Sequence, residues 1–254
     1  MANKSKAAFV GVLSQRDSVL PKPNMKRSQL TTTLLLQEED VLVSKNSSQK
    51  GLQQYFTPLK VGTWMRHILD QKTGLVVDLT AGAGNLLMPW VSNQNVGDKS
   101  LGFETMQALG VELDKENIPK STTFLNVVNA NIAELYPLLL QVEFHADVFV
   151  LNPPFTLFWH IPELTNSEDK SIESQLATVK MAIEMTKHRG QGAFLVAKSA
   201  WDKSLSQDEE IAQYVHSAVV AKNLFLPYAN VDCVICFYGG SRAASATRLR
   251  TAMR

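Results

Sequence analysis

The tetrapeptide Asn152-Pro153-Pro154-Phe155 has the residue types and order that could activate an amine. It directly follows ADVFVL, an apolar run typical of a buried strand. Two prolines fix the backbone and remove two N–H donors, so backbone carbonyls and the Asn152 side-chain oxygen can point at one amino group. Phe155 adds a flat face for stacking. The alternative is a rigid turn that places Phe155 in the core.

A glycine-rich turn follows a second apolar run, in the segment DLTAGAGN from Asp78 to Asn85. Gly82 and Gly84 would let a ligand approach the backbone closely, and the helix that follows would offer free N–H donors. The spacing differs from the G-x-G-x-x-G fingerprint of dinucleotide sites, which argues against hydride transfer. The pattern indicates a nucleotide-type site.

Two further segments are candidates for ligand binding. Glu112 ends the apolar run LGVEL and could accept both hydroxyls of a ribose, or be a solvated surface acid. Glu104 is a rival, because Asp78 and Glu112 are further apart than the roughly 20 residues usual for this role. Tyr55 and Thr57 belong to QYFTP, which by itself favours simple packing at the start of a helix.

These residues must be positioned by regular elements, and the pattern from residue 58 onward is regular. Helices are predicted over residues 59–72, 170–188 (amphipathic) and 207–221, and a further helix is expected to open with AGAGNLLMPWV. Strands are predicted at LVVDL, LGVEL, TFLNVVN, ADVFVLN, GAFLVAK, NLFLP and VDCVICFY. This alternation predicts βαβ units and a mainly parallel sheet, with ligands at the carboxyl ends of its strands.

The overall composition is that of a globular protein. The chain has 254 residues, of which 45% are hydrophobic and 19% charged. No apolar run approaches the roughly 18 residues that would span a bilayer, and polar residues interrupt the N-terminal run, so neither a membrane anchor nor a signal peptide is expected. The first fifty residues are mostly polar; within them LTTTLLLQEEDVLV could form a strand or a short helix.

The net charge of +1 combines segments of opposite sign. Residues 1–60 carry nine basic and four acidic residues, and residues 239–254 carry four arginines and no acid, which gives net charges of +5 and +4. Residues 61–238 therefore have a net charge of −8. The basic ends could contact phosphates or be solvated tails.

The two cysteines of the chain, Cys233 and Cys236, indicate a reducing compartment, and we expect a cytoplasmic protein. Their C-x-x-C spacing resembles half of a zinc site, but one pair is too few ligands. Because they lie within the strand-like run VDCVICFY, we expect buried thiols and no metal.

In chain order, the motifs resemble those of class I methyltransferases that use S-adenosylmethionine, specifically those that methylate adenine N6 in DNA. QYFTP is similar to their N-terminal motif, DLTAGAGN to the cofactor loop, GVELD to the ribose-binding acid and NPPF to the catalytic tetrapeptide. The resemblance implies a Rossmann-like α/β fold with a mainly parallel seven-stranded sheet, a C-terminal antiparallel hairpin and helices on both faces. It covers residues 51–238 as the catalytic domain, leaving residues 1–50 as a basic, partly disordered or arm-like extension and residues 239–254 as a basic tail.

The resemblance also implies roles for individual residues. S-adenosylmethionine would be bound by Tyr55, Thr57, Asp78, Ala81, Gly82, Gly84, Glu112 and Asn131, where an aromatic ring near the sulfonium is favourable. An adenine would be flipped out of DNA and held by Phe155, with its N6 amine bonded to the Asn152 side-chain oxygen and the Pro153 carbonyl. This chemistry needs neither a metal nor a general base before methyl transfer.

Two features depart from the family pattern. Asn131 occupies a position where relatives commonly have an acid that binds the cofactor adenine, although an amide oxygen also accepts hydrogen bonds. Residues 239–254 are too few for a separate recognition domain, so we expect a partner subunit in a restriction–modification or phage-type system, or low specificity. The alternatives are methylation of RNA or of a protein glutamine, and an inactive subunit that binds cofactor or nucleic acid.

Overall fold

The computed structural model describes residues 31–35, 55–69, 71, 73–91, 106–118, 125–167, 169–186, 190–226 and 229–240. Its strands are β1 (Thr31–Leu35), β2 (Gly74–Asp78), β3 (Met106–Glu112), β4 (Asn126–Asn129), β5 (Val148–Leu151), β6 (Phe158–His160), β7 (Ser171–Glu173), β8 (Gln191–Ala197), β9 (Val215–Lys222) and β10 (Cys233–Gly239). Its helices are α1 (Leu59–Leu69), α2 (Met88–Val91), α3 (Ile132–Gln141), α4 (Pro162–Thr165), α5 (Ser174–Thr186), α6 (Lys198–Lys203) and α7 (Glu209–Tyr214).

The main sheet has the strand order β1-β9-β10-β8-β5-β2-β3-β4. All neighbouring strands are parallel except β10, which is antiparallel to both β8 and β9. Without β1, the main sheet has the predicted number of seven strands and the predicted C-terminal antiparallel hairpin, so the predicted fold class is confirmed. The order reverses direction between β5 and β2, which is where an open α/β sheet binds ligands.

Strand β1 extends the sheet beyond the predicted seven strands. It runs parallel to β9, with Thr31 opposite Ala218 and Leu35 opposite Lys222. The sequence left LTTTLLLQEEDVLV open between strand and helix, and its described part, Thr31–Leu35, is a strand. The remainder of residues 1–54 lies outside the described residues, so the predicted arm-like extension stays a prediction.

Helices cover both faces of the sheet because its crossovers run in opposite directions. The connection from β2 through α2 to β3 moves towards one edge, while the connection from β5 through α5 to β8 moves towards the other. Right-handed crossovers therefore place α2 and α5 on opposite faces. Strands β5 and β8, which are buried along their whole length, form the centre of the core. No helix of the described part of the chain is long and apolar enough to cross a membrane.

The predicted helix over residues 207–221 is wrong. Helix α7 ends at Tyr214, and Val215–Lys222 forms β9. The run is rich in valine and lies between β1 and β10, so burial on both faces selects a strand over a helix. The predicted strand at NLFLP is also wrong, because the chain turns after β9, where Asn223 has a φ of 59°.

Smaller differences concern two helices. The predicted amphipathic helix over residues 170–188 begins at Ser174 after the short strand β7, and its described part ends at Thr186. Most of its residues are buried, because it packs against both the sheet strands β5 and β8 and the helix α7. Turns occupy much of AGAGNLLMPWV, which leaves only the four-residue α2 in this segment.

Both cysteines are free and fully buried in β10, where burial raises the pKa of each thiol.

Candidate active site

A cavity of about 890 Å³, including its open mouth, lies at the carboxyl ends of β2, β3, β4 and β5. The whole tetrapeptide Asn152–Phe155 lines it. So do seven of the eight residues predicted to bind a cofactor, namely Tyr55, Thr57, Asp78, Ala81, Gly82, Glu112 and Asn131. Gly84 does not line the cavity, and Glu104 lies outside the described residues. Segments up to about one hundred residues apart in the chain thus meet at one edge of the sheet.

Asp78 is a buried carboxylic acid at the end of β2. Its side chain accepts a hydrogen bond from the Thr80 backbone N–H at 2.9 Å, and its residue is 1% exposed. The pKa of Asp78 is raised to about 7, mainly by burial and also by the nearby Glu112, while the hydrogen bonds from Thr80 act in the opposite direction. The carboxyl group therefore gains its charge near neutral pH, at a place where a cationic ligand would favour that charge.

The turn after β2 brings backbone close to the ligand space. Gly82 has a φ of +53°, and a Cβ atom there would lie 3.1 Å from the Phe56 ring. Glycine is needed because other residues rarely adopt this conformation and because Phe56 leaves little room. Gly84 has a φ of +79° and bonds through its N–H to the Ala81 carbonyl at 2.8 Å, so it shapes the turn behind the cavity wall.

Glu112 holds two backbone segments in place. One oxygen of its carboxylate accepts the Gly82 N–H and the other accepts the Asp114 N–H, both at 2.7 Å. Burial raises the pKa of Glu112, whereas these bonds lower it. A hydrogen bond from the Asn117 side chain also lowers the pKa of Glu112, so the carboxylate keeps acceptor capacity for a ligand hydroxyl beyond these three protein donors.

Asn131 has a structural role at the start of α3. Its side-chain oxygen accepts the Ala133 N–H at 3.1 Å and its amide donates to Glu134 at 2.9 Å, which makes it the N-cap of the helix. This capping role was not predicted from the sequence. The oxygen retains one lone pair for a ligand.

Asn152 has one side-chain atom bonded and the other without a partner. Its amide donates to the Tyr55 carbonyl at 2.8 Å, and because that neighbour can only accept, it fixes which end of the side chain is oxygen. The Oδ1 atom is buried and has no hydrogen-bond partner among the described residues. An unpaired buried acceptor is costly, so it indicates a site prepared for a donor.

Three aromatic rings form a cluster beside Asn152. The ring centroids of Tyr55, Phe155 and Phe225 are 5.5 to 5.8 Å apart in all three pairs. Phe155 is only 4% exposed, so it is packed in the core, as expected if NPPF is a rigid turn. It also lines the cavity, as expected if it contacts a ligand. Phe225 is part of NLFLP, which the sequence analysis assigned to a strand and not to the site.

Other contributors to the site had little or no signal in the sequence. Asn85 donates to the Thr57 carbonyl at 2.8 Å and so connects the glycine turn to the segment before α1. Ser174 donates to the Pro154 carbonyl at 2.7 Å. Trp159, on β6, lines the cavity and follows NPPF closely, which is the one clue that could have identified it.

The charge of the cavity favours a cationic ligand. Among the described residues that line it, Asp78 and Glu112 are the charged side chains, and no lysine, arginine or histidine is present. The lining also offers backbone groups, hydroxyl-binding carboxylate oxygens and aromatic rings. These are suited to a ligand that combines a positive charge, a ribose and a flat base, beside a second donor at Asn152.

The strand order and this cavity define the protein as a class I methyltransferase fold, whose cofactor is S-adenosylmethionine. The sequence profile of the family described as N-6 DNA methylase matches residues 39–238, and the chain belongs to this family. The match begins twelve residues before the predicted domain boundary at residue 51. No curated protein sequence matches the chain.

Several solved structures share the fold. One is described as a modification subunit of a proposed type I restriction enzyme from Vibrio vulnificus YJ016, with 16% identity and a TM-score of 0.54 over 75% of this chain and 45% of that chain. Another is a proposed class I S-adenosylmethionine-dependent methyltransferase from Listeria monocytogenes, with 13% identity and a TM-score of 0.51 over 82% and 73%. A third structure, described as that of a type I restriction–modification system, has 19% identity and a TM-score of 0.52 over 72% of this chain and 42% of that chain. The chain thus spans less than half the length of the two type I proteins.

Proposed function

We propose that the protein transfers a methyl group from S-adenosylmethionine to the N6 amine of adenine in DNA. The observation that carries this proposal is the buried, unpaired Oδ1 of Asn152, which lies in the same cavity as the acidic residues suited to the cofactor. Membership of the N-6 DNA methylase family supports the choice of DNA and of N6.

The cofactor would occupy the part of the cavity between β2 and β4. Its ribose hydroxyls would bond to Glu112, and its positively charged end would lie near Asp78 and the Tyr55 ring. Gly82 allows backbone to approach without a side chain in the way. When bound, S-adenosylmethionine supplies an electrophilic methyl group.

The substrate adenine would leave the DNA stack and enter beside NPPF. Its N6 amine would donate to the Asn152 Oδ1 and to the Pro153 carbonyl. These two acceptors would draw the amine out of conjugation with the ring, so that its lone pair can attack. Phe155 supports the arrangement by giving the base an aromatic contact. As the bond between N6 and the methyl carbon forms, the methyl–sulfur bond would break and S-adenosylhomocysteine would leave, and the cationic nitrogen would then lose one proton to water.

We further propose that DNA recognition involves a larger modification complex. The net charge of −8 on residues 61–238 makes the catalytic segment a poor match for phosphates. Two of the structures with the same fold are described as type I restriction–modification components, which supports a subunit role. The partner would supply positive charge or base contacts.

The proposal is tested by incubating the protein with methyl-labelled S-adenosylmethionine and one of four acceptors: unmethylated duplex DNA, single-stranded DNA, RNA or cell extract. We expect label in DNA. Label confined to RNA or to protein would contradict the DNA assignment, and cofactor binding without any transfer, even with cell extract added, would favour an inactive subunit.

A further inference from the structure

The backbone of NPPF has one torsion that its own sequence leaves free. The proline rings fix φ of Pro153 and Pro154, and a following proline keeps Asn152 and Pro153 extended. The remaining torsion is ψ of Pro154, which orients the Pro154 carbonyl and directs the chain into Phe155. Whatever fixes that carbonyl therefore also fixes where Phe155 lies relative to Asn152.

Ser174 binds this loop on both sides of Phe155. Its hydroxyl donates to the Pro154 carbonyl at 2.7 Å, and its backbone N–H donates to the Leu157 carbonyl at 2.9 Å. The residue is completely buried, so water does not compete for either bond. A single residue thus brackets the two residues between Pro154 and Leu157.

The bracketed segment needs such support. Thr156 has a φ of 60°, a left-handed conformation that is unfavourable for a β-branched residue. Conformations of this kind persist where the surrounding structure imposes them, and they occur frequently at functional sites. The two bonds from Ser174 enclose this residue.

Ser174 is itself held by the core. It is the first residue of α5, and its carbonyl accepts the Thr178 hydroxyl at 2.7 Å. The next residue, Gln175, is 1% exposed and accepts the Ala197 N–H at 2.7 Å, which ties the start of the helix to the end of β8. The position of the NPPF loop is therefore fixed relative to the central strands of the sheet.

We infer that Ser174 is a positioning residue, whose two hydrogen bonds hold Phe155 against Tyr55 and Phe225 beside the unpaired oxygen of Asn152. The inference rests on the proposed function for the identity of the substrate, but the placement of Phe155 is a property of the protein alone. Without the Ser174 hydroxyl, the ψ torsion of Pro154 is free to change, and Phe155 leaves its place in the aromatic cluster.

The placement is tested by fluorine NMR of protein labelled with 4-fluorophenylalanine, in which the Phe155 resonance is assigned from its loss in Phe155→Leu. We expect Ser174→Ala to shift or broaden that resonance. The matched control is Thr186→Val, which removes an equally buried hydroxyl at the far end of α5 and should leave the resonance unchanged. An unaltered Phe155 resonance in Ser174→Ala would overturn the inference.

Whether Ser174 affects methyl transfer to DNA through Phe155 is tested by a double-mutant cycle. Ser174→Ala should lower kcat/KM about ten-fold or more with an unchanged Kd for S-adenosylmethionine, and should add less than about two-fold when Phe155 is already alanine. An equal ten-fold loss in both backgrounds would contradict the inference. Absence of transfer by the unmodified protein, even with cell extract added to supply a partner, would refute the proposed function, while the fluorine spectrum would still decide the role of Ser174.

Discussion

At the residue scale, Asn152 and Asn85 make equivalent hydrogen bonds, but we expect one to act on the substrate and the other on cofactor binding. Each donates its side-chain amide at 2.8 Å to a carbonyl of the segment before α1, Asn152 to Tyr55 and Asn85 to Thr57. The other end of Asn152 carries the unpaired acceptor that is proposed to bind the substrate amine. The two residues can therefore serve as controls for each other.

We expect Asn152→Ala to lower kcat about 100-fold or more, because it removes the acceptor for N6, with the Kd for S-adenosylmethionine changed less than about three-fold. Asn85→Ala should instead raise that Kd about ten-fold through loss of one hydrogen bond at the glycine turn, with kcat largely kept. Calorimetry and methyl-transfer kinetics measure both. A large loss of cofactor affinity in Asn152→Ala would show that the site is misplaced.

Asp78 makes cofactor binding depend on pH. Its pKa of about 7 in the folded protein lies above its ordinary value of 3.8, so the carboxyl group becomes charged as the pH rises from 6 to 8. We expect the affinity for S-adenosylmethionine to increase over this range and to be much less pH-dependent in Asp78→Asn. Calorimetric titrations at several pH values would show this, and equal pH dependence of the two proteins would contradict it.

The raised pKa of Asp78 also predicts how the stability of the folded protein changes with pH. Between pH 3.8 and about 7 the folded protein keeps the Asp78 proton while the unfolded chain releases it, so rising pH removes stability in this window. We expect Asp78→Asn to raise the Tm of the ligand-free protein at pH 8 and to have little effect near pH 4. A lower Tm at pH 8 would show that the buried charge is not destabilising.

At the scale of elements, Asn131 connects the cavity to the start of α3. Asn131→Ala removes the cap and should lower the free energy of unfolding by about 1 kcal/mol. Asn131→Asp retains a capping oxygen and adds the acid common in relatives, so we expect unchanged stability and equal or tighter cofactor binding. Denaturant unfolding and calorimetry separate the two effects. If Asn131→Asp were as unstable as Asn131→Ala, the cap would not be the reason for the loss.

The elements that hold the cavity were largely predictable, and the reason lies in local patterning. Strand β5 is apolar throughout and β8 is apolar after Gln191, and each is followed by a polar residue, so both the strands and their functional ends can be located from sequence. Of the twelve site residues that the sequence predicted, eleven therefore line the cavity, and Gly84 does not.

What the sequence did not predict depends on contacts between distant segments. Strand β9 was predicted as helix because its own residues do not show which partners cover it; its neighbour β1 is far away in the chain, and β10 follows only after a turn. Phe225 joins the aromatic cluster because the chain turns after β9, where the sequence predicted a strand. The bonds of Ser174 to Pro154 and of Asn85 to Thr57 likewise have no local signature.

At the scale of the whole molecule, charge is separated along the chain. Residues 239–254 carry four arginines outside the acidic segment that matches the catalytic fold. If this segment contacts DNA phosphates, deletion of residues 241–254 should weaken DNA binding and reduce the slope of log affinity against log salt by up to about four. Fluorescence anisotropy at several salt concentrations would measure this. Unchanged affinity and slope would mean that the segment does not contact DNA.

The most direct test of the account is to identify the methylated base. Unmethylated duplex DNA is incubated with S-adenosylmethionine and either the unmodified protein or Asn152→Ala, with cell extract added in parallel to supply a partner, and the nucleosides are then resolved by mass spectrometry. The account predicts N6-methyladenine that depends on Asn152. Methyl groups found only on cytosine, or N6-methyladenine formed equally by Asn152→Ala, would contradict it.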